Sequence, residues 1–549
     1  MLNRRQLLRS TLLLSGGLAL LAACGPAPAA PSTPATSATS ATSAPAAAAT
    51  PASAAKPTAA SAAAASPNKG GTLRVGLSVD VVTLDPHLSG SKFDRQVYHN
   101  LYDPLFILDD KLGIQPNLAE SYQNPDPQTL ILKLRSGLKF HDGTDLNAEA
   151  ARFNFDRMAN DPKSVRKGEV ANIASTEVVD PLTLKISLKQ PDSSLLATLT
   201  DRAGMMISPT ALGKLGADLG HDATGAGTGP FQFVEWVPDD HVLLKRNDTY
   251  WSKSGGPYLD QIRYRPIPDD TVKLQSLQNS EIDVLDYLAP RNVSIAKSDS
   301  NLVVIDVPSL AAFWFTLNTT RPPFSDKNLR LALTYALDVD AIVKGVYLGV
   351  GVPANGPISP ASWAYDDTIK PIQRDLNKAK QYLAAAGQPN GFAFDFETVN
   401  VPIAIQEAEV VKAQLAEAGI TCNVVQIDGA RQLSDGNNKT YDMTTYDWSG
   451  RPDPDGNSYQ FFHTTPGVSL NWSGISNPQL DQLLEQTRQV TDHSQRKQLY
   501  SQAIQILAAE APVVWEIHPV EPKALSPKVE GYTPIPDGML RFRDAYLKG

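Results

Sequence analysis

Apolar and polar side chains alternate along residues 72–79, 130–134 and 182–188, the period of two that predicts half-buried strands, and two further strands follow at 231–237 and 242–245. Pro238, Asp239 and Asp240 supply a turn between the last two, making them a pair. Between the second and third strands, a helical period runs over about 147–159, which predicts a small α+β subdomain in this region. The same period returns over 271–280, where Val272, Leu274 and Leu277 recur.

Beyond Pro308 the pattern changes. Residues 313–318, FWFTLN, form a bulky strand, followed by a helix capped by Ser325 or Asp326 with Leu329, Leu333, Ala336 and Leu337 on its apolar face. Two further helices, from about Asn377 and about Ile403, stop at Gly387 and Gly419. Strands at 392–398 and 422–427 flank the second of them, and a strand–helix–strand unit of this kind requires a parallel pair. After a strand at 441–446, Asn477 with Pro478 and Asp492 with Gln495 cap two more helices. The second carries Leu499, Ala503, Ile506 and Leu507 on one face. A strand at 513–517 follows, and the tail from Pro519 has too few elements for a domain, so it must return to an earlier one.

Residues 446–455, YDWSGRPDPD, have no period at all and read as a stiffened loop. Ligands of open α/β sheets collect at the carboxyl ends of the strands. Asn400 ends one strand there and Trp448 and Arg451 follow another, so the three belong to one crevice. An indole beside a guanidinium offers a stacking face and a bidentate donor, suited to a carboxylate or a polar planar group. A core tryptophan capped by a surface arginine is the bland alternative. Trp314, Trp363 and Trp472 are further stacking candidates, although Trp314 in its strand suits the core equally. Asp453 is a candidate contact, but both it and Asp455 also suit stapling of the loop through backbone N–H groups.

Composition narrows the classes. A chain of 549 residues implies roughly two to three domains. The net charge of -9 provides no cationic surface for nucleic acid. At the N-terminus, basic residues over 3–9 precede an apolar run over 11–23 and the sequence LAAC, the order of an export signal whose apolar part is too short to cross a bilayer core of about 30 Å. NRRQLLR resembles a twin-arginine signal and LAAC a lipobox, which marks residues 1–24 as a lipoprotein export signal with Cys24 as the lipidated residue. Residues 25–69, nearly all Ala, Pro, Ser and Thr, are expected to be a disordered tether. Cys422 then has no partner and, within an apolar strand, reads as a buried inert thiol.

Catalytic chemistry finds little support. The glycine-rich GAGTGP at 225–230 is followed by a strand instead of a helix, which excludes a nucleotide loop. The eight histidines lack metal-ligand spacing, so no metal is expected. No GxSxG elbow is present. Asp453 and Asp455, two residues apart in a proline-bound loop, cannot face each other across a sugar as a glycoside hydrolase requires.

Many blocks in order then resemble one family: GGTLRVGLSVDVVTLDPHL, LYDPLF with LAESY, LKLRSGLKFHDGTDLNAEAARFNFDRM, GTGPFQFVEW with LKRNDTYW, FWFTLNTTRPPFSDKNLRLALTYALD, WSGRPDPD and APVVW. Together they resemble the family 5 extracytoplasmic solute-binding proteins of ABC importers, the peptide, opine and nickel class. The resemblance implies an α/β, two-lobed periplasmic-binding-protein-like fold with two hinge crossings, near Pro308 and Pro519. Lobe I would comprise 70–308 plus 519–549, with an extra subdomain at about 114–234, and lobe II 309–518. It further implies a non-enzymatic monomer without cofactor, anchored by lipid to the outer face of the cytoplasmic membrane, that passes a small-molecule solute to an ABC permease. The family's dipeptide binders place an aspartate ahead of the DP pair and an arginine at the preceding strand's end. Here Arg451 and about Asn400 occupy those places, which favours an anionic or strongly polar peptide or opine, with an oligosaccharide stacked on tryptophans as the alternative.

Overall fold

The computed structural model describes residues 67–253, 255–465 and 470–548. The export signal, Cys24 and all but the end of the expected tether lie outside them. Within this range the chain is organised around two large sheets.

The first sheet has seven strands in the order Val303–Ile305, Lys523–Leu525, Val284–Leu285, Thr72–Leu77, Gln261–Pro266, His241–Arg246 and Phe231–Val237. Thr72–Leu77 is central and runs parallel to Gln261–Pro266 and Val284–Leu285. Its Leu73, Val75 and Leu77 are buried in a core shared with Tyr98, Phe231, Leu244 and Tyr264. The tail returns here: Lys523–Leu525 inserts antiparallel between two earlier strands, and Leu540, Phe542 and Ala545 complete the same core.

The second sheet has six strands in the order Gly351–Pro353, Val513–Pro519, Ala312–Leu317, Met443–Trp448, Ala393–Val399 and Thr421–Ile427. Ala393–Val399 and Thr421–Ile427 are parallel over their whole length, joined by the helix Pro402–Glu417. Alternation decides its two faces: Phe315 and Leu317 pack with Leu333, Phe396 and Val411, whereas Ala312 and Trp314 pack with Phe461, Leu484 and Tyr500. Helix starts follow their caps. The Asp326 carboxylate accepts the Asn328 N–H at 2.7 Å, and Asp492 accepts that of Gln495 at 2.9 Å.

Two passages join the sheets, one between Ile305 and Ala312 and one between Pro519 and Lys523. They run side by side, with Pro308 bridged to Val520 and the Glu521 N–H donating to the Val307 carbonyl at 3.0 Å.

The extra subdomain differs from expectation at both ends. Its antiparallel sheet, Ala119–Asp126, Thr129–Leu134, Thr183–Leu188 and Ile173–Asp180, shares a core that already includes Leu105 and closes at Met206. Phe231–Val237, of which the expected bounds took in only the first four residues, is the edge of the seven-stranded sheet. The reason lies in the preceding turn: a Cβ on Gly227 would stand 2.2 Å from the Leu101 carbonyl oxygen, and one on Gly229 2.7 Å from the Leu101 carbonyl carbon. Only glycines allow this approach, which carries the chain back onto the first sheet.

Candidate functional site

The aperiodic stretch is less of a loop than its composition predicts. Tyr446, Asp447 and Trp448 complete the strand Met443–Trp448, and Asp455 opens a helix, Asp455–Phe462. Only residues 449–454 connect them. Gly450 sits there at a φ of 80°, where a Cβ would lie 2.3 Å from the Leu310 oxygen, so the connection is pressed against the first passage between the sheets.

Asn457 knots this turn together. Its side-chain oxygen accepts from Trp448 Nε1 at 2.8 Å and from the Arg451 backbone N–H at 2.7 Å, while its Nδ2 donates to the Arg451 carbonyl at 3.0 Å. The Arg451 guanidinium consequently lies 4.2 Å from the Trp448 ring centroid and donates from Nη1 to the Gly450 carbonyl at 2.8 Å. Trp448 and Arg451 are thus brought together, both partly buried. Asn400 is exposed at the end of Ala393–Val399.

The remaining candidates are engaged elsewhere. Trp314 is buried, stacked on Tyr446 at 5.1 Å, and its Nε1 donates to Thr316 Oγ1 at 3.0 Å. Trp472, also buried, meets Tyr446 edge-on at 4.6 Å and donates to Asn437 at 3.0 Å. With their N–H groups satisfied and their faces covered, both tryptophans belong to the aromatic core. Trp363 stacks on His493 at 3.9 Å. Asp453 is buried with both oxygens taken by Arg496, at 2.6 and 2.8 Å, so it braces the helix His493–Glu510. Asp455 does the same for Pro478–Gln489 through Arg488, at 2.7 and 2.8 Å.

Lobe I faces this turn with groups that no local sequence signal marks. The Ser193 N–H donates to the Arg488 carbonyl at 3.0 Å, and Ser194 Oγ, which donates to Asp192 at 2.6 Å, lies 3.4 Å from Asp455, so the lobes touch beyond their two passages. In the same segment Asp201 binds Arg95 through Nε at 3.1 Å and Nη2 at 3.0 Å. The next residue, Arg202, donates to the Ser89 carbonyl at 2.9 Å. Burial opposes the Asp201 charge, yet Arg95 and Arg202 hold its carboxyl well below the usual range. Arg451 feels the same charges from across the cleft: burial first, then Arg95 and Arg202, bring its guanidinium down to about 9.

Asp447 marks an acidic side. It is exposed to solvent, yet burial of its surroundings pushes its carboxyl up to about 6, with Lys92 of lobe I pulling the other way. This combination describes a water-reached recess deep in the molecule. Behind it, Tyr347 donates to Glu407 at 3.1 Å, and burial pushes Glu516 up to about 7 and raises Glu407 further. A separate polar groove of about 740 Å³ lies on lobe I between Arg135, Lys139, Lys253 and Arg543. Among the described residues no cluster of His, Cys, Asp or Glu could hold a metal ion, and no helix is long and apolar enough to cross a membrane.

Comparison with known proteins identifies the family and the fold. Residues 113–469 match the model of bacterial extracellular solute-binding proteins, family 5. The glutathione-binding protein GsiB of Shigella flexneri is 33% identical over 486 residues, covering 86% of this chain and 94% of that one. Periplasmic binding protein DppA from Helicobacter pylori, solved with the peptide STSA, superposes with a TM-score of 0.80 at 28% identity over 88% of this chain and 99% of its own. AgaA of A. tumefaciens, solved with agropinic acid, gives 0.78 at 25% identity over 87% and 99%. The chain belongs to the family 5 extracellular solute-binding proteins, the extracytoplasmic substrate-binding components of ABC importers.

Proposed function

We propose that this protein captures a peptide or a peptide-like, opine-type solute between its lobes and hands it to a membrane permease while anchored to the membrane through a lipid on Cys24. The reading rests chiefly on the Trp448–Arg451 pair, which offers a stacking face and a guanidinium 4.2 Å apart. Asp447, one residue before Trp448, adds a solvent-reached carboxyl on the same strand end. A peptide-like molecule carries groups complementary to all three: a carboxylate, a planar amide and an ammonium. A glutathione-binding relative and solved neighbours holding a peptide or agropinic acid fit the same chemistry. Lobe closure around the solute follows if it touches both walls, since a ligand shifts an equilibrium only by its differential affinity for the two states.

Sugar stacking is the weaker match, because Trp314 and Trp472 are buried with their N–H groups bonded. A thermal-shift screen of peptides, opines and oligosaccharides tests the reading. Stabilisation by a peptide or opine that is recovered unchanged supports it, whereas stabilisation by oligosaccharides alone overturns it.

A further inference from the structure

Charges around the cationic side of the cleft do not balance. Arg95 and Arg202 are 2% and 1% exposed and share a single carboxylate, Asp201. The neighbouring groups cancel among themselves. Arg166 pairs with Glu169, and Arg541 with Asp537 at 2.6 Å. His99, 3.6 Å from Asp201, is kept neutral near physiological pH because burial and then Arg541 bring it down to about 4. On the other lobe Asp453 and Asp455 are each committed to their own arginine. The charges of Arg95 and Arg202 act on Arg451 from the other lobe, and against these three guanidiniums stand two carboxylates, Asp201 and the buried Asp94 beside Arg202.

Hydrogen bonding is incomplete in the same place. Arg95 Nη1 and Arg202 Nε are buried without a hydrogen-bond partner among the described residues. A buried cation with unsatisfied donors is costly, and bringing a third, partly buried guanidinium towards two such groups costs more still. A bound anion reverses the sign of that term, because each guanidinium then gains a charge-assisted partner on closure. The Ser193 N–H bond to the Arg488 carbonyl, with Ser194 Oγ 3.4 Å from Asp455, brings the segment that carries Arg202 against the turn that carries Arg451.

Resting on the peptide-like reading above, we infer that the solute is net anionic: it carries a carboxylate in excess of its ammonium groups, seated on Arg451 and facing Arg95 and Arg202. The excess acid is what makes closure favourable, so specificity is set by charge balance between the lobes as much as by fit to the Trp448 face.

Isosteric pairs test this directly. Calorimetry with di- and tripeptides that differ only by Glu against Gln at each position compares a carboxylate with a neutral amide of the same shape. The acidic member is expected to bind at least about tenfold tighter in at least one pair, the order of a single charge-assisted contact. Arg451→Gln is expected to abolish that preference, and Arg451→Lys to restore part of it, with both variants melting like the parent. Equal binding of both members in every pair overturns the inference and leaves the peptide reading standing. A Glu preference that survives Arg451→Gln overturns the assignment to this cluster. Failure of every peptide and opine to bind overturns the reading beneath it as well.

Discussion

Asn457 holds Arg451 by both ends of its peptide unit, accepting from its N–H at 2.7 Å and donating to its carbonyl at 3.0 Å. The same side chain fixes the Trp448 indole, so one buried amide sets the geometry of the candidate clamp. Asn457→Ala leaves several buried polar groups unpaired, each worth roughly 1–3 kcal/mol. The expected result is a loss of about 3 kcal/mol in urea unfolding together with weaker solute binding. Stability and affinity both unchanged would show that the knot does not position the pair.

Asp453 and Asp455 separate in their effects although they lie two residues apart. Asp453→Asn leaves Arg496, 2% exposed, without its counter-charge, and is expected to destabilise by about 3 kcal/mol. Asp455→Asn costs less, about 1 kcal/mol, because Arg488 is 26% exposed and solvent screens it. Its larger effect falls on closure, since Asp455 orients Arg488, whose carbonyl accepts the Ser193 N–H of the other lobe. Small-angle scattering with saturating solute should find the Asp455→Asn protein more open than the parent.

The buried acids behind Asp447 predict a pH dependence. Burial raises the folded-state value of Glu516 to about 7, above the unfolded value of about 4.3. Between these values the folded state holds a proton that the unfolded chain has released, so stability falls as pH rises through that window. Denaturation midpoints measured at pH 5 and pH 8 should show this loss in the parent and a smaller one in Glu516→Gln. An identical pH profile in the two proteins would assign the slope to other groups.

Sequence legibility followed the range of the interactions. The parallel pair Ala393–Val399 and Thr421–Ile427 was readable because its signals, two apolar runs around one helix ending at Gly419, are local. Asn477 and Asp492 are readable as caps for the same reason, and Asp326 as one of two neighbouring candidates with Ser325. The helix Asp455–Phe462 was not, because proline, glycine and asparagine near its start hide a short helix held by ion pairs to distant arginines. Trp448 and Arg451 stood out by composition and do lie together, whereas Trp314 and Trp472 carry the same composition into the core. Arg95, Arg202 and Asp201 give no signal, since the pairing of Arg95 with Asp201 joins residues more than a hundred positions apart and their charge reaches Arg451 only through the packing of two lobes.

The cleft reading stands or falls on Arg451. Isothermal titration of the best peptide or opine from the screen into the parent and into Arg451→Ala compares them directly. Saturable binding by the parent and at least about tenfold weaker binding by the variant are expected, with an unchanged melting temperature in the absence of solute. Equal affinity in the two proteins would contradict the cleft reading and move the solute site away from the Trp448–Arg451 turn.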